Sequence, residues 1–76
     1  MKKLYIVNGI HDGILGIFSN IKRAYEVTEE YNSYNDDVKY HERMSYSQTT
    51  KAFKNGRCMT YNGDATIELR YLNHYH

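Results

Sequence analysis

The chain has 76 residues, 41% of them hydrophobic and 25% charged, with a formal net charge of +1 and an isoelectric point near 7.9. That is one domain of ordinary globular composition, not a disordered chain. It is small enough to bury only about 60% of the surface its unfolded form exposes, which leaves little room for an enclosed catalytic cavity. The balanced charge also argues against non-specific DNA binding, which goes with a domain isoelectric point above about 9.

The hydrophobic content leans on tyrosine: nine Tyr, two Phe and no Trp. Tyr supplies apolar area with a polar tip, so some of these rings must serve as core and the rest as contact surface. The single cysteine, Cys58, cannot close an internal disulfide. A secreted domain of this size would need such bridges, so a reducing, cytoplasmic setting is expected. The opening Met-Lys-Lys resembles a signal peptide, but the apolar run that follows ends after four residues, short of the roughly 7–15 of an h-region. No stretch approaches the roughly 18 residues of a membrane span. There is no Pro, so every turn falls on Gly, Asn, Asp or Ser.

Residues 3–8 read as a first strand. Leu4-Tyr5-Ile6-Val7 is continuously apolar, which suggests burial on both faces and a central place in a sheet. Two turn dipeptides compete, Asn8-Gly9 and Asp12-Gly13; the second is preferred, with Ile10 extending the first strand and Ile14 starting the second. Gly16, inside that second strand, hints at a bulge or a close backbone approach. Residues 20–31 read as an amphipathic helix capped by Asn20 or Ser19, with Ile21, Ala24, Tyr25, Thr28 and Tyr31 on one side. Its charges oppose the helix dipole: Lys22 and Arg23 stand in the first turn, Glu29 and Glu30 in the last. They read as a solvated face, with service to a partner as the alternative.

Residues 32–37 form a polar loop that ends the helix. Residues 38–46 alternate, with Val38, Tyr40, Met44 and Tyr46 against Lys39, His41, Arg43 and Ser45, and so read as a half-buried third strand. Residues 47–56 admit two readings. One is a short helix capped by Ser47, with Thr49, Ala52 and Phe53 inward and Gly56 after its end. The other is a strand leading into an Asn55-Gly56 turn. The helix is preferred. Asn62-Gly63 between two alternating runs then marks a C-terminal hairpin, with Ala65, Ile67, Leu69 and Tyr71 on one face of its last strand. Residues 73–76 are expected to fray. The expected fold class is α+β: a ββα unit, a strand, a short helix and a C-terminal β-hairpin, forming an antiparallel sheet with one main helix packed on it.

Chemistry-bearing residues are sparse. His11, His41, His74, His76 and Cys58 lack the spacing of a zinc site, so neither a metal nor another cofactor is expected. Cys58 with His41 or His11 is one conceivable nucleophile pair, but Cys58 reads rather as a buried strand cysteine acting as a small hydrophobe. Glu29, Glu30, Asp36 and Asp37 read as solvated carboxylates without the burial that tunes an acid–base pair. No glycine-rich phosphate loop is present, and the chain reads as a non-enzyme.

The uneven feature is the distribution of charge. Residues 26–37 carry five acids and no base; residues 39–57 carry Lys39, Arg43, Lys51, Lys54 and Arg57 against one acid, Glu42. With Tyr40 and Tyr46 interleaved, this half has the composition of a protein-binding surface and also of a single-strand nucleic-acid surface. The partner-binding set is therefore Lys39, Arg43, Lys51, Lys54, Arg57, Tyr40 and Tyr46.

Over its first third, the chain resembles the opening of many short bacteriophage proteins. The resemblance rests on Lys3-Leu4-Tyr5-Ile6-Val7, on residues 13–17, and on Phe18-Ser19 leading into Lys22-Arg23-Ala24. It implies an early-expressed, host-takeover protein in the host cytoplasm. Such a protein binds one host protein of transcription, replication, cell division or defence and inhibits or redirects it. A small RNA- or single-strand-binding domain is the alternative. A homodimer joined through a sheet edge is compatible with either.

Overall fold

The computed structural model describes residues 2–34 and 42–72. Its strands are β1 (Lys2–Gly9), β2 (Gly13–Phe18), β3 (Met59–Asn62) and β4 (Ala65–Leu72); its helices are α1 (Ile21–Tyr34) and α2 (Tyr46–Lys54). The strands form one antiparallel sheet in the order β2-β1-β4-β3. The fold is α+β, as expected.

The apolar run in β1 does take a central place, but burial along it alternates. Tyr5, Val7 and Gly9 are buried, while Leu4, Ile6 and Asn8 are only half-buried. Helix α1 lies across β1, β2 and β4, and α2 packs on the same side, where Phe53 meets Tyr5 edge-on at 5.6 Å. The core therefore sits on one face: Tyr5, Val7, Ala24, Ile67 and Leu69, with Leu15, Phe18, Ile21, Tyr25, Val27 and Phe53 packed around it. The other face carries Leu4 and Ile6 with Ile14 and Ile17 beside them, and among the described residues no element covers it.

The first hairpin departs from expectation by one turn residue. Strand β1 stops at Gly9, and Ile10 does not extend it. The Ile10 N–H donates instead to the Asp64 carbonyl at 2.9 Å, leaving β2. Residues 10–12 make the turn, which Gly13 closes at φ +73°, a region that disfavours a side chain. The bulge hinted at by Gly16 is present. The register slips between Val7 and Asn8, so that Gly16 faces Val7, Ile14 faces Asn8, and Leu15 is the extra residue. The second hairpin has the two-residue loop Gly63-Asp64, with positive φ at Gly63 alone, the pattern of a type II′ turn.

Helix α1 starts where Asn20 caps it, its Oδ1 accepting the Lys22 N–H at 2.8 Å. It runs to Tyr34, a turn beyond the expected end. Asn32, expected in a polar loop, is buried inside it. Glu29 and Glu30 thus stand a turn back from the helix end, where the dipole penalty has largely faded. Arg23 lies 3.1 Å from Glu30 and 3.6 Å from Glu26, so the acidic run is partly neutralised within the helix.

The expected third strand is not observed in its described part. Residues 42–45 have no regular structure, and Tyr46 begins α2; residues 38–41 lie outside the described set. Of the two readings for residues 47–56 the helix is correct, but its cap is Ser45 rather than Ser47. Ser45 Oγ accepts from the Gln48 N–H at 3.1 Å and Gln48 Oε1 accepts from the Ser45 N–H at 2.9 Å, a complete capping box. At the other end, Gly56 N–H bonds to Phe53 and Arg57 N–H to Ala52, the Schellman arrangement. The expected fraying of residues 73–76 also falls outside the described residues.

Gly9 offers a test of this packing. A Cβ there would sit 2.5 Å from Cζ of Tyr31, whose hydroxyl is held by the His11 N–H at 3.1 Å and by Asp12 at 3.0 Å. Gly9→Ala should cost about 1–3 kcal/mol by overpacking. In a Tyr31→Ala background the same change should cost less than about 0.5 kcal/mol. Urea denaturation of the four proteins measures both; equal costs in the two backgrounds would show that the ring is not the obstacle.

Candidate functional site

The tip of the second hairpin and helix α1 are joined by side chains, and Asn62 is the hub. Its residue is 2% exposed. Its Nδ2 donates to Thr28 Oγ1 at 2.9 Å and to Glu29 Oε2 at 3.0 Å; its Oδ1 accepts from Arg43 Nε at 3.3 Å and from the Met44 N–H at 3.0 Å. Two donors and two lone pairs are the full capacity of a carboxamide, and all are used. Asn32 completes the joint: its Nδ2 donates to the Asn62 carbonyl at 2.8 Å, and its Oδ1 accepts the Asp64 N–H at 3.0 Å. Among the described residues, Asp64 Oδ1 is the one buried side-chain polar atom without a partner.

This joint sets the position of residues 42–44. The Glu42 carbonyl accepts from the Gly63 N–H at 3.2 Å, and the Met44 carbonyl from the Tyr25 hydroxyl at 2.7 Å. Tyr25 meets Tyr46 edge-on at 5.5 Å. Burial first, then the neighbouring Glu29 charge, raises the pKa of the Tyr25 hydroxyl. Arg43 pairs with Glu29. Glu29 is thus a tertiary anchor and not the solvated carboxylate expected. Burial pushes its carboxyl upward, but the hydrogen bonds from Asn62 and Arg43, the Arg43 charge and the Tyr25 hydroxyl outweigh that and hold it below its ordinary value of 4.5.

Beside the joint lies a shallow open groove of about 350 Å³ lined by Glu42, Arg43, Met44, Gln48, Arg57 and Tyr61. The expected basic surface is only partly assembled around it. Arg57 lines the groove; Lys51 stands one turn along α2 from Gln48, and Lys54 one turn further. All three are exposed, and among the described residues none of them forms an ion pair or a side-chain hydrogen bond. Arg43 is engaged by Glu29 and Asn62, and Tyr46 packs on Tyr25 while keeping part of its ring exposed. Lys39 and Tyr40 lie outside the described residues. Tyr61 and Gln48 were missed by sequence reasoning. The capping-box spacing from Ser45 to Gln48 was the available signal, masked by the alternating pattern that runs through Ser45.

Cys58 is exposed, not buried as expected, because β3 begins one residue later. Its carbonyl accepts from the Leu69 N–H at 2.8 Å. That places it four residues along β4 from Ala65, the partner of Gly9, about 13 Å of strand away from the turn that carries His11. Among the described residues no three His, Cys, Asp or Glu side chains gather in a metal-binding group, and no helix is long and apolar enough to cross a membrane.

Two measurements probe the joint. Asn62→Ala leaves the Met44 N–H and the Thr28 hydroxyl short of a partner in a buried site, and should cost about 2–4 kcal/mol in urea denaturation. The Glu29 carboxyl, depressed in the fold, stabilises it above the unfolded pKa, and that contribution is lost as pH falls through the folded value. Tm should therefore decline as pH drops below 4.5, and Glu29→Gln should flatten the decline while lowering Tm at neutral pH. Parallel pH profiles for the two proteins would show that Glu29 does not carry the effect.

No protein-family model, curated protein or solved structure matches this chain.

Proposed function

We propose that the chain is a non-enzymatic binding protein of the bacteriophage early-protein kind, which occludes a surface of one host protein and so inhibits or redirects it. The observation that carries this reading is the corner formed by α2 and the groove. Arg57 lines that groove with the exposed Tyr61 ring and the half-buried Met44, Lys51 and Lys54 are exposed one and two turns along α2 from Gln48, and no acid engages the three among the described residues. Arg and Tyr lining a shallow depression of mixed polar and apolar character are residue types enriched among those that dominate protein-binding energetics. The groove is too open to exclude water from a reacting substrate, and it suits a side chain inserted by a partner. Lysines on a helix surface steer an acidic partner into place. Arg43 also lines the groove, but Glu29 and Asn62 engage its guanidinium, so changing it would disturb the fold along with any binding.

A second reading, single-stranded nucleic acid, draws on the same Tyr61 and Arg57, which could stack and contact phosphate. Salt separates the two, since phosphate neutralisation makes log K fall steeply with log salt.

The test is capture of partners from host lysate, with and without nuclease, by the wild-type chain and by a Lys51→Glu/Arg57→Glu variant. Nuclease-resistant capture that the variant loses by more than tenfold, at unchanged Tm, is the expected result. Equal capture by both would remove the corner from the interface, and loss on nuclease treatment would favour the second reading.

A further inference from the structure

The sheet face opposite the helices has a pattern of its own. Its rows follow from the strand register. Ile6 and Glu68 lie side by side in one row, with Ile17 on the far side of Ile6. Leu4 and Arg70 form the next row. Asn8 and Thr66 stand at one end of the face, Lys2 and Leu72 at the other. Ile14 and Ile17 are 64% and 57% exposed, Leu72 is 43% exposed, and Arg70 Nε reaches Glu68 at 2.6 Å across the surface of β4. A lone exposed isoleucine needs no explanation, but two on one strand beside Leu4 and Ile6 form a continuous patch.

We infer that this open sheet face joins two copies of the chain in a twofold dimer, with Glu68 and Arg70 of each copy closing a four-membered ring of alternating charge. The inference rests on self-complementarity. Take a twofold axis lying in the interface, perpendicular to the strands, between the Ile6–Glu68 row and the Leu4–Arg70 row. It sets each strand antiparallel over its own copy. Glu68 then faces Arg70 of the second copy, and Ile6 faces Leu4, with Ile17 alongside. At the ends, Thr66 faces Leu72 and Asn8 faces Lys2. No like charges meet among these pairs, and the apolar Ile6 and Leu4 fall on each other at the centre. A C2 interface demands this property, because one patch must complement itself. Stacked sheets keep their strands within about 30° of one another, which preserves these pairings near the axis.

The sheet edges offer a poorer route to association. Strand β3 is four residues long and β2 carries the Leu15 bulge; short and bulged edges resist pairing with another chain. The size of the face sets the expected strength. Four strands at their usual spacing and the length of β1 cover roughly 19 by 24 Å, or about 900 Å² for the two copies together. That is at the low end of specific interfaces, where transient complexes lie.

Sedimentation of the whole chain over a range of concentrations tests this. A reversible dimer with Kd on the order of 100 μM is expected. Ile17→Glu should weaken it at least tenfold, and so should Glu68→Arg or Arg70→Glu alone. The double exchange Glu68→Arg/Arg70→Glu rebuilds the ring and should return Kd to within about threefold of wild type. Circular dichroism checks that each variant is folded; Ile17, already largely in water, gives a variant that does not depend on the ion pair. A monomer up to about 1 mM overturns the proposal. So does a dimer indifferent to Ile17→Glu, which would place association on an edge, or a double exchange no better than its singles.

Discussion

One saturated carboxamide organises the described part of this molecule. Asn62 sits at the last position of β3, where the chain turns into β4, and from there it reaches helix α1 and the segment ahead of α2 at once. Each of its four side-chain hydrogen-bonding positions is filled by a residue distant in sequence, from Thr28 to Met44. In a low-dielectric interior such bonds are strong when made and costly when missing. The joint therefore does what apolar packing alone does poorly: it specifies one docking of the hairpin on the helix and penalises every neighbouring one.

The chain needs that device because its apolar core is slight. Among the described residues, Val7, Ile67 and Leu69 are the buried aliphatic ones larger than alanine, and Thr28, Asn32, Thr49, Thr60, Asn62 and Asp64 are buried with them. Side chains of this kind give less burial energy than leucine or isoleucine would, but they fix direction. Thr28 shows how. Its hydroxyl donates to the Tyr25 carbonyl at 2.6 Å and receives Asn62, so a residue of modest helix propensity becomes the contact between helix and sheet. The charges of α1 follow from the same geometry. Glu29 faces the joint and binds Arg43, while Glu26 and Glu30 face solvent and share Arg23.

Local pattern was enough to find most of the elements. Alternation in residues 65–71 separated the two faces of β4, of which Ala65, Ile67 and Leu69 are buried while Tyr71 is exposed; Gly16 marked the bulge, helix spacing identified α1, and a serine cap with Lys51 and Ala52 favoured α2. What local pattern could not show was the fate of polar side chains that bind across the fold. Asn32 looks like a loop residue by type, and it is helical because Asn62 and Asp64 satisfy its amide. The polar–apolar alternation around residues 42–46 mimics a strand. There the backbone serves Gly63 and Asn62 instead, and Ser45 and Gln48 have already opened a helix. The basic surface was read from composition alone, which cannot tell Arg43, engaged by Glu29 and Asn62, from Arg57, which no acid engages among the described residues.

The two faces of the sheet divide the aliphatic residues in an unusual way. The covered face is half polar and held by directed bonds, whereas the open face keeps Ile14 and Ile17 in water. If stability alone had shaped the chain, exchanging a buried threonine for one of those isoleucines would have improved the core and the solubility together. The observed arrangement makes sense when the covered face is built for specificity and the open face for contact. A polar joint tolerates a small core because it fixes geometry without bulk. The aliphatic residues it releases can then stand on the open face, as Ile14 and Ile17 do.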